Sequence, residues 1–484
     1  MKKKVELILL IGILILGFVA RLYRINNPIG DWHAFRQADT SAISRVYVEN
    51  GINLLYPKYF DISNIQSGKD NPKGYRFVEF PIYNFFQTSL FLGFGKLTLE
   101  EWGRFVSIIS SILSIIFIFL LVRKHADSLS ALFASFFIAV LPFSVYYGRA
   151  ILPDPSTAMA ILGGVYFFDL SLSKKNFQFS IFNFQFFLAV IFTAAAFLLK
   201  PFALFFTLPF LYLAWKNFGF KVLVKWQLWV FLIASIIPLV LWRWWIMQHP
   251  EGIPVSAWLF NEGNIRFTGA FFYWIFAERL SKLILGYFGI ILLFLGFFKR
   301  DEKDYGLFMS FVVSSLLYIT VIARGNVQHD YYQILIIPTI CMLLGRGASF
   351  LLSIPVRLGK NLGVNTVVSI ASLGLIIIFS LSFSWFYVRD FFNINNRGLV
   401  TAGKIADRML PKDAKVIAAN NGDTSFLYYI NRKGWPAYEK SPEELKLLGA
   451  THIVIPSPDK HDYEGLGKIY KAVYSSPEVL ILKL

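Results

Sequence analysis

The stretch Met1-KKKVELILLIGILILGFVARLYRINNPIGDWHAFRQAD-Thr40 sets the reading of the whole chain. Three lysines precede an apolar run that continues to Ala20, and a charged loop follows it. A helix needs roughly 20 apolar residues to cross a hydrocarbon core of ~30 Å. The run has the length of a signal sequence, but Phe18-Val19-Ala20-Arg21 is a poor cleavage site and further apolar runs follow. It reads as an uncleaved first membrane helix.

Working outward, comparable runs occupy 103–122, 128–147, 157–172, 179–199, 202–215, 228–247, 283–298, 306–323, 331–352 and 365–387. With 5–22 they predict about eleven crossings. The composition agrees: 56% of residues are hydrophobic, 16% are charged, and the mean hydropathy is +0.55. So little charge cannot cover the surface of a water-soluble protein of 484 residues. The net charge of +17 does not point to nucleic acid, because the basic residues sit in short connections between apolar runs. The lone cysteine, Cys341, lies inside an apolar run and reads as a small buried residue.

The basic residues also predict orientation. With a cytoplasmic N-terminus, every inside connection carries lysine or arginine: Lys2–Lys4, Arg123/Lys124, Lys174/Lys175, Lys216/Lys221/Lys225, Lys299/Arg300/Lys303 and Arg357/Lys360. This parity puts the long connections 23–102 and 248–282, and everything after 388, outside. The predicted organisation is a membrane domain over 1–390 with an outer-face loop at 23–102, then a small extracytoplasmic α/β domain over 391–484. Residues 80–94 contain Pro81, Asn84 and Gln87 and read as interfacial or re-entrant helix. In the tail, 398–410 and 441–448 read as helices, the second opened by a Ser441/Glu444 capping box and ended by Gly449. Residues 416–419, 426–430, 452–455 and 479–482 read as strands. The tail has neither a glycine-rich phosphate loop nor metal-ligand spacing, so the chemistry is expected elsewhere.

Four polar clusters fall where apolar runs meet the outside. Asp31-Trp-His33-Ala-Phe-Arg36-Gln-Ala-Asp39-Thr offers carboxylates suited to general-base work and an arginine suited to a phosphate. The alternative is a solvated loop in which Asp39 caps a helix over 40–50. Tyr146-Tyr-Gly-Arg149-Ala-Ile-Leu-Pro-Asp154-Pro forms a short, rigid link, and Asp154 alternatively caps the next span. Lys200-Pro201 breaks a run of 37 residues (179–215), too long for one crossing. A lysine at that depth either has a partner or function, or snorkels to the interface. Arg324-Gly-Asn-Val-Gln-His329-Asp-Tyr331-Tyr332 opens a late span, and its tyrosines also suit an interfacial aromatic belt. Together the clusters make a cationic, hydrogen-bonding face at headgroup depth, where the phosphate of a lipid ester would rest.

At these residues the chain resembles the GT-C superfamily of lipid-phosphate-sugar glycosyltransferases, and within it family 39, with its aminoarabinose transferases and protein mannosyltransferases. The resemblance covers the membrane region through the early acidic loop, Arg104, Arg149/Asp154, Lys200-Pro201 and His329–Tyr332. In the tail it rests on Leu427-Tyr-Tyr and Arg432-Lys-Gly-Trp435. Typical members carry an Asp-Glu pair in the first loop. Here His33-Ala-Phe-Arg-Gln-Ala-Asp39-Thr replaces it; Asp39, which opens the predicted helix, is the favoured base and Asp31 the alternative.

The resemblance implies an inverting transfer from a polyprenyl-phosphate sugar, at the outer face of the plasma membrane, to a lipid, glycan or protein acceptor. Arg36, Arg149, Lys200, His329 and Tyr332 would surround the donor phosphate. Asp39 or Asp31 would deprotonate the acceptor, with His33, Asp154 and Tyr331 in supporting places. Trp258, Glu262, Arg266 and Tyr273 would shape the acceptor pocket. No metal ligands are assigned, and a divalent-metal requirement is left open. A lipid-linked-glycan flippase or transporter is the rival class. Transporters usually show internal repeats and ionisable residues at mid-membrane, and neither is seen here.

Overall fold

The computed structural model describes residues 3–172, 181–299, 304–358 and 362–484. The chain divides into two compact units. The first comprises Met1–Ile25, Arg104–Trp242 and Ser256–Asp390, and the second Asn26–Gly103, Arg243–Val255 and Phe391–Leu484. The first loop, attached to the membrane domain in the sequence reading, therefore groups with the C-terminal residues.

The first unit is helical. Among the described residues of the whole chain, five helices are long and apolar enough to cross a membrane, including Leu99–His125, Asp154–Leu172 and Trp226–Ile246. A sixth span is reached if Gly269–Ile284 and Gly289–Phe298, bent by 107° to one another, are taken as one. Ser128–Val140, Phe184–Leu199 and Tyr305–Val321 are shorter apolar helices. The predicted runs are helical, but several are interrupted. Run 128–147 breaks at Leu141-Pro142, and run 202–215 begins as a 3-10 turn, Pro201–Thr207, before the helix Leu208–Phe218.

The break at Pro142 shows how such an interruption is tolerated in a membrane. Proline has no N–H and cannot bond the carbonyl four residues back, that of Ile138. Arg21, wholly buried at the end of the first helix (α1, Lys3–Arg21), supplies the missing donors. It reaches Ile138 O at 2.9 Å, Ala139 O at 3.0 Å and Ser144 Oγ at 3.1 Å. Ser144 Oγ adds a second bond to Ile138 O at 2.7 Å. Gly148 lacks a Cβ for the same reason, since one would lie 2.4 Å from Arg21 Nε. Elsewhere helices approach through glycine. A Cβ on Gly347 would lie 1.9 Å from Leu292 O, and one on Gly345 2.4 Å from Ser130 O. Small residues of this kind let membrane helices pack backbone to backbone.

Several basic residues read as orientation markers have acidic partners. Arg123 pairs with Glu6 at 2.6 Å, Lys124 with Asp169 at 2.5 Å, Lys216 with Asp304 at 2.6 Å, and Lys299 with Asp127. His125 lies between the two buried carboxylates, with Nε2 2.9 Å from Asp169 and Nδ1 3.0 Å from Asp304. Lys2, Lys174, Lys175, Arg300, Lys303 and Lys360 lie outside the described residues.

The second unit holds the helices α2 (Ala34–Asn50) and α3 (Ile82–Phe94) and a five-stranded sheet. Asp39 does not cap α2. The helix starts five residues earlier, behind His33 in a left-handed conformation (φ 57°), and Asp39 lies within it. The strands are β1 (Val416–Ile417), β2 (Gly434–Trp435), β3 (His452–Pro456), β4 (Lys471–Ser475) and β5 (Val479–Lys483). Their order is β2-β1-β3-β5-β4, with β1 parallel to β2 and β3 and the other pairs antiparallel. Ile417, Trp435, Leu445, Ile453 and Leu480 form its core. Residues 426–430, expected as a strand, belong instead to the helix Ser425–Ile430, all of whose residues are buried. An apolar run this short carries no period of its own, so packing decides its form. The Ser441/Glu444 capping box is present, and Gly449 follows with φ 98°.

Candidate active site

The candidate residues form two groups, one in each unit. In the first unit Lys200 ends the helix Phe184–Leu199 in an extended conformation (φ −159°, ψ 117°), because Pro201 bars a helical residue before it. Lys200 is 5% exposed, and its ammonium pairs with the carboxylate of Asp154, which is fully buried at the start of Asp154–Leu172. Lys200 does not snorkel. The ammonium also lies 4.5 Å from the ring centre of Tyr332 and 5.3 Å from that of Tyr331. Cation–π attraction strengthens in such a desolvated place.

His329 stacks on Tyr331 at 5.3 Å between ring centres and meets Tyr332 and Trp258 edge-on. Asp330, which the sequence reading did not use, accepts a 2.5 Å hydrogen bond from Tyr147. Tyr147 packs against Tyr146, over whose ring the Arg149 guanidinium sits at 5.4 Å. Arg149 also donates to Arg24 O, and Arg104 donates to Ile25 O at 2.7 Å. The structure thus brings Arg149, Asp154, Lys200, His329, Tyr331 and Tyr332 into one connected cluster. Of Trp258, Glu262, Arg266 and Tyr273, Trp258 joins it through His329. Arg266 bonds Val321 O, and Tyr273 bonds Glu278.

The second unit holds the acidic loop. Asp39, 2% exposed, has one carboxylate oxygen bonded to Arg76 at 2.6 Å and the other to Thr424 Oγ1 at 2.5 Å. Arg36 is paired with Glu79. Asp31, 1% exposed, accepts from Gln37 Nε2 at 2.7 Å, and the same amide fixes Trp32 O at 3.1 Å. Asn84 donates to Thr40 O at 2.6 Å, and Gln87 to Ser41 Oγ at 3.1 Å, so the polar residues that broke the apolar pattern of 80–94 hold α2 in place. Tyr428, part of the tail motif, bonds Ser41 at 3.1 Å and Glu100 at 2.5 Å.

Arg76, Glu79 and Thr424 were missed because their roles depend on partners distant in sequence. Arg76 also lies 5.1 Å from the Tyr59 ring centre, and Tyr59 donates to Asp61 at 3.2 Å. Burial pushes the Asp61 carboxyl up to about 6, with Asp39 adding to the rise and the Ser63 hydrogen bonds and Arg76 opposing it. Asp423 is raised as well, by burial first and less by the charge of Asp39.

Residues 79–245 match a family model described as dolichyl-phosphate-mannose-protein mannosyltransferase. No curated protein sequence matches the chain. Among solved structures it is similar to ArnT from Cupriavidus metallidurans bound to undecaprenyl phosphate, with a TM-score of 0.67 at 12% identity. That match covers 100% of this chain and 98% of the other. It is also similar to the archaeal oligosaccharyltransferase AglB from Archaeoglobus fulgidus in complex with an inhibitory peptide and a dolichol-phosphate. There the TM-score is 0.60 at 13% identity, over 96% of this chain and 70% of the other. The chain is a multi-pass membrane protein whose fold is similar to those of ArnT and AglB.

Proposed function

We propose that the protein is a membrane glycosyltransferase that takes a sugar from a polyprenyl-phosphate donor and transfers it, with inversion, to an acceptor hydroxyl. The buried Lys200–Asp154 pair carries this reading. A lysine held under two tyrosine rings, with Arg149 in the same cluster, suits the phosphate of a lipid whose tail lies among helices. The ArnT and AglB structures, described as binding undecaprenyl phosphate and a dolichol-phosphate, support it.

In the proposed reaction the acceptor oxygen attacks the anomeric carbon and its proton passes to a carboxylate of the first loop. The bond from sugar to phosphate oxygen breaks, and the lipid phosphate leaves with the electron pair. Lys200, Arg149, His329 and Tyr332 stabilise the charge that gathers on that phosphate. Asp154 holds the lysine, and Tyr331 holds His329. Asp39 and Asp31 remain the alternative bases: Asp39 is held by Arg76 and Thr424, and Asp31 by Gln37. Arg36, engaged with Glu79, is assigned to the loop and not to the phosphate. The proposed setting is the outer face of the plasma membrane, with about eleven crossings and a cytoplasmic N-terminus.

The test is transfer by the purified protein in nanodiscs, supplied with a pool of polyprenyl-phosphate sugars and candidate acceptors, followed by release of lipid phosphate. Lys200→Met and Arg149→Gln are expected to lower kcat about 100-fold or more. If Asp31→Asn and Asp39→Asn both transfer at the wild-type rate, the general-base assignment fails. If the wild-type protein releases no lipid phosphate from any donor, the transferase reading fails.

A further inference from the structure

Within the second unit, residues 29–30, 32–35, 395–396, 399–400, 420, 423 and 425 line a cleft of about 760 Å3 including its mouth. Part of the lining is aromatic. Trp32 is 40% exposed and lies nearly flat on Phe391, with ring centres 5.1 Å apart and planes 13° apart. His33 meets its edge at 5.3 Å. The left-handed backbone at His33 turns the chain from this aromatic pair into α2, and Gln37 pins the loop through Trp32 O.

The polar lining is made of short amide and carboxylate groups: Asn395, Asn396, Asn420 and Asp423. Two are fixed in place. Asp423 Oδ1 accepts from the backbone N–H of Ser425 at 2.7 Å, and Asn396 caps the helix Arg397–Met409 through Leu399 N at 2.9 Å. Neither lysine nor arginine is among the lining residues.

An exposed indole face beside amides that both donate and accept suits one chemical class, a ring with an apolar C–H face and hydroxyls around its edge. An anionic headgroup would meet Asp423 with no cation to offset it. A lipid tail would strip water from the asparagines without replacing their hydrogen bonds. Both candidate bases are tied to residues next to this lining in sequence: Asp31 directly precedes Trp32, and Thr424, bonded to Asp39, lies between Asp423 and Ser425.

We infer that this cleft is the acceptor subsite, and that the acceptor is a neutral saccharide. The role as acceptor site rests on the transferase reading, whereas the binding of neutral sugar does not. The test is saturation-transfer NMR on the full-length protein in nanodiscs, without donor. The probes are the methyl glycosides of glucose, galactose, mannose and N-acetylglucosamine, with methyl glucuronide and a serine-containing peptide as contrasts. At least one neutral glycoside should receive saturation. Trp32→Ala should weaken it about tenfold or more, and Trp32→Phe should restore most of the affinity. If Trp32→Ala does not fold, Asn395→Ala, on an exposed part of the lining, should still weaken binding.

Silence from all four neutral glycosides, preference for the glucuronide or the peptide, or unchanged binding in both alanine variants would overturn the inference. The two readings fail separately. A protein that consumes donor but ignores the glycosides refutes the cleft alone. One that binds glycosides but never releases lipid phosphate refutes the transferase.

Discussion

Replacing Lys200 by methionine tests the cluster most sharply, because stability and activity then move for different reasons. Lys200 is 5% exposed and Asp154 0%, and Asp154 Oδ2 has no hydrogen-bond partner among the described residues. Lys200→Met therefore strands a carboxylate in a dry place with one oxygen already unsatisfied. Breaking a buried pair from one side costs about 3–5 kcal/mol. Asp154→Asn should cost less, because the stranded ammonium keeps the rings of Tyr332 and Tyr331, a contact worth up to ~2 kcal/mol when desolvated. The double variant has neither charge and should recover much of the stability, since removing both members of a buried pair is often near neutral.

The assay is a double-mutant cycle on unfolding in mixed micelles, run beside sugar transfer. The expected coupling is about 2–4 kcal/mol, with the double variant stable yet still at least about 100-fold slow in transfer. A double variant that regains wild-type transfer would show that Lys200 merely holds the helices. A coupling near zero would refute the pair itself.

Three further outcomes follow from the geometry. Asp61 has a folded pKa raised to about 6, so its contribution to stability is fully present below the unfolded value and is lost as pH rises through 6. Asp61→Asn should therefore stabilise the protein at pH 8, on the order of 2–3 kcal/mol, and do little at pH 4, as measured by unfolding at both pH values. Asp304→Asn weakens the partner of His125, Lys216 and Tyr212 at once and should lower stability by a few kcal/mol. Retention of the wild-type unfolding midpoint would show that the cluster is not structural. Gly347→Val should force apart the helices that meet at Leu292 O, lowering the yield of folded protein in detergent, whereas Gly363→Val, with nothing within 4 Å, should not.

Composition alone settled that this chain lives in lipid, since 16% charge leaves no other solvent for its surface. Local rules also settled where helices stop. Pro201 dictates the extended Lys200, and the Ser441/Glu444 box opens its helix as read. Such features depend on neighbours within a few positions. Pairing does not. Asp39 looked like a helix cap or a base, and only the fold shows its partners Arg76 and Thr424, 37 and 385 positions away. Residues 426–430 carry an apolar pattern that suits strand or helix equally, and burial on all sides chose the helix. Arg21 seemed to end an anchor, yet it supplies the donors missing at a proline break more than a hundred residues on. A buried polar group must find its partner wherever the chain brings one, and that is a property of the three-dimensional path.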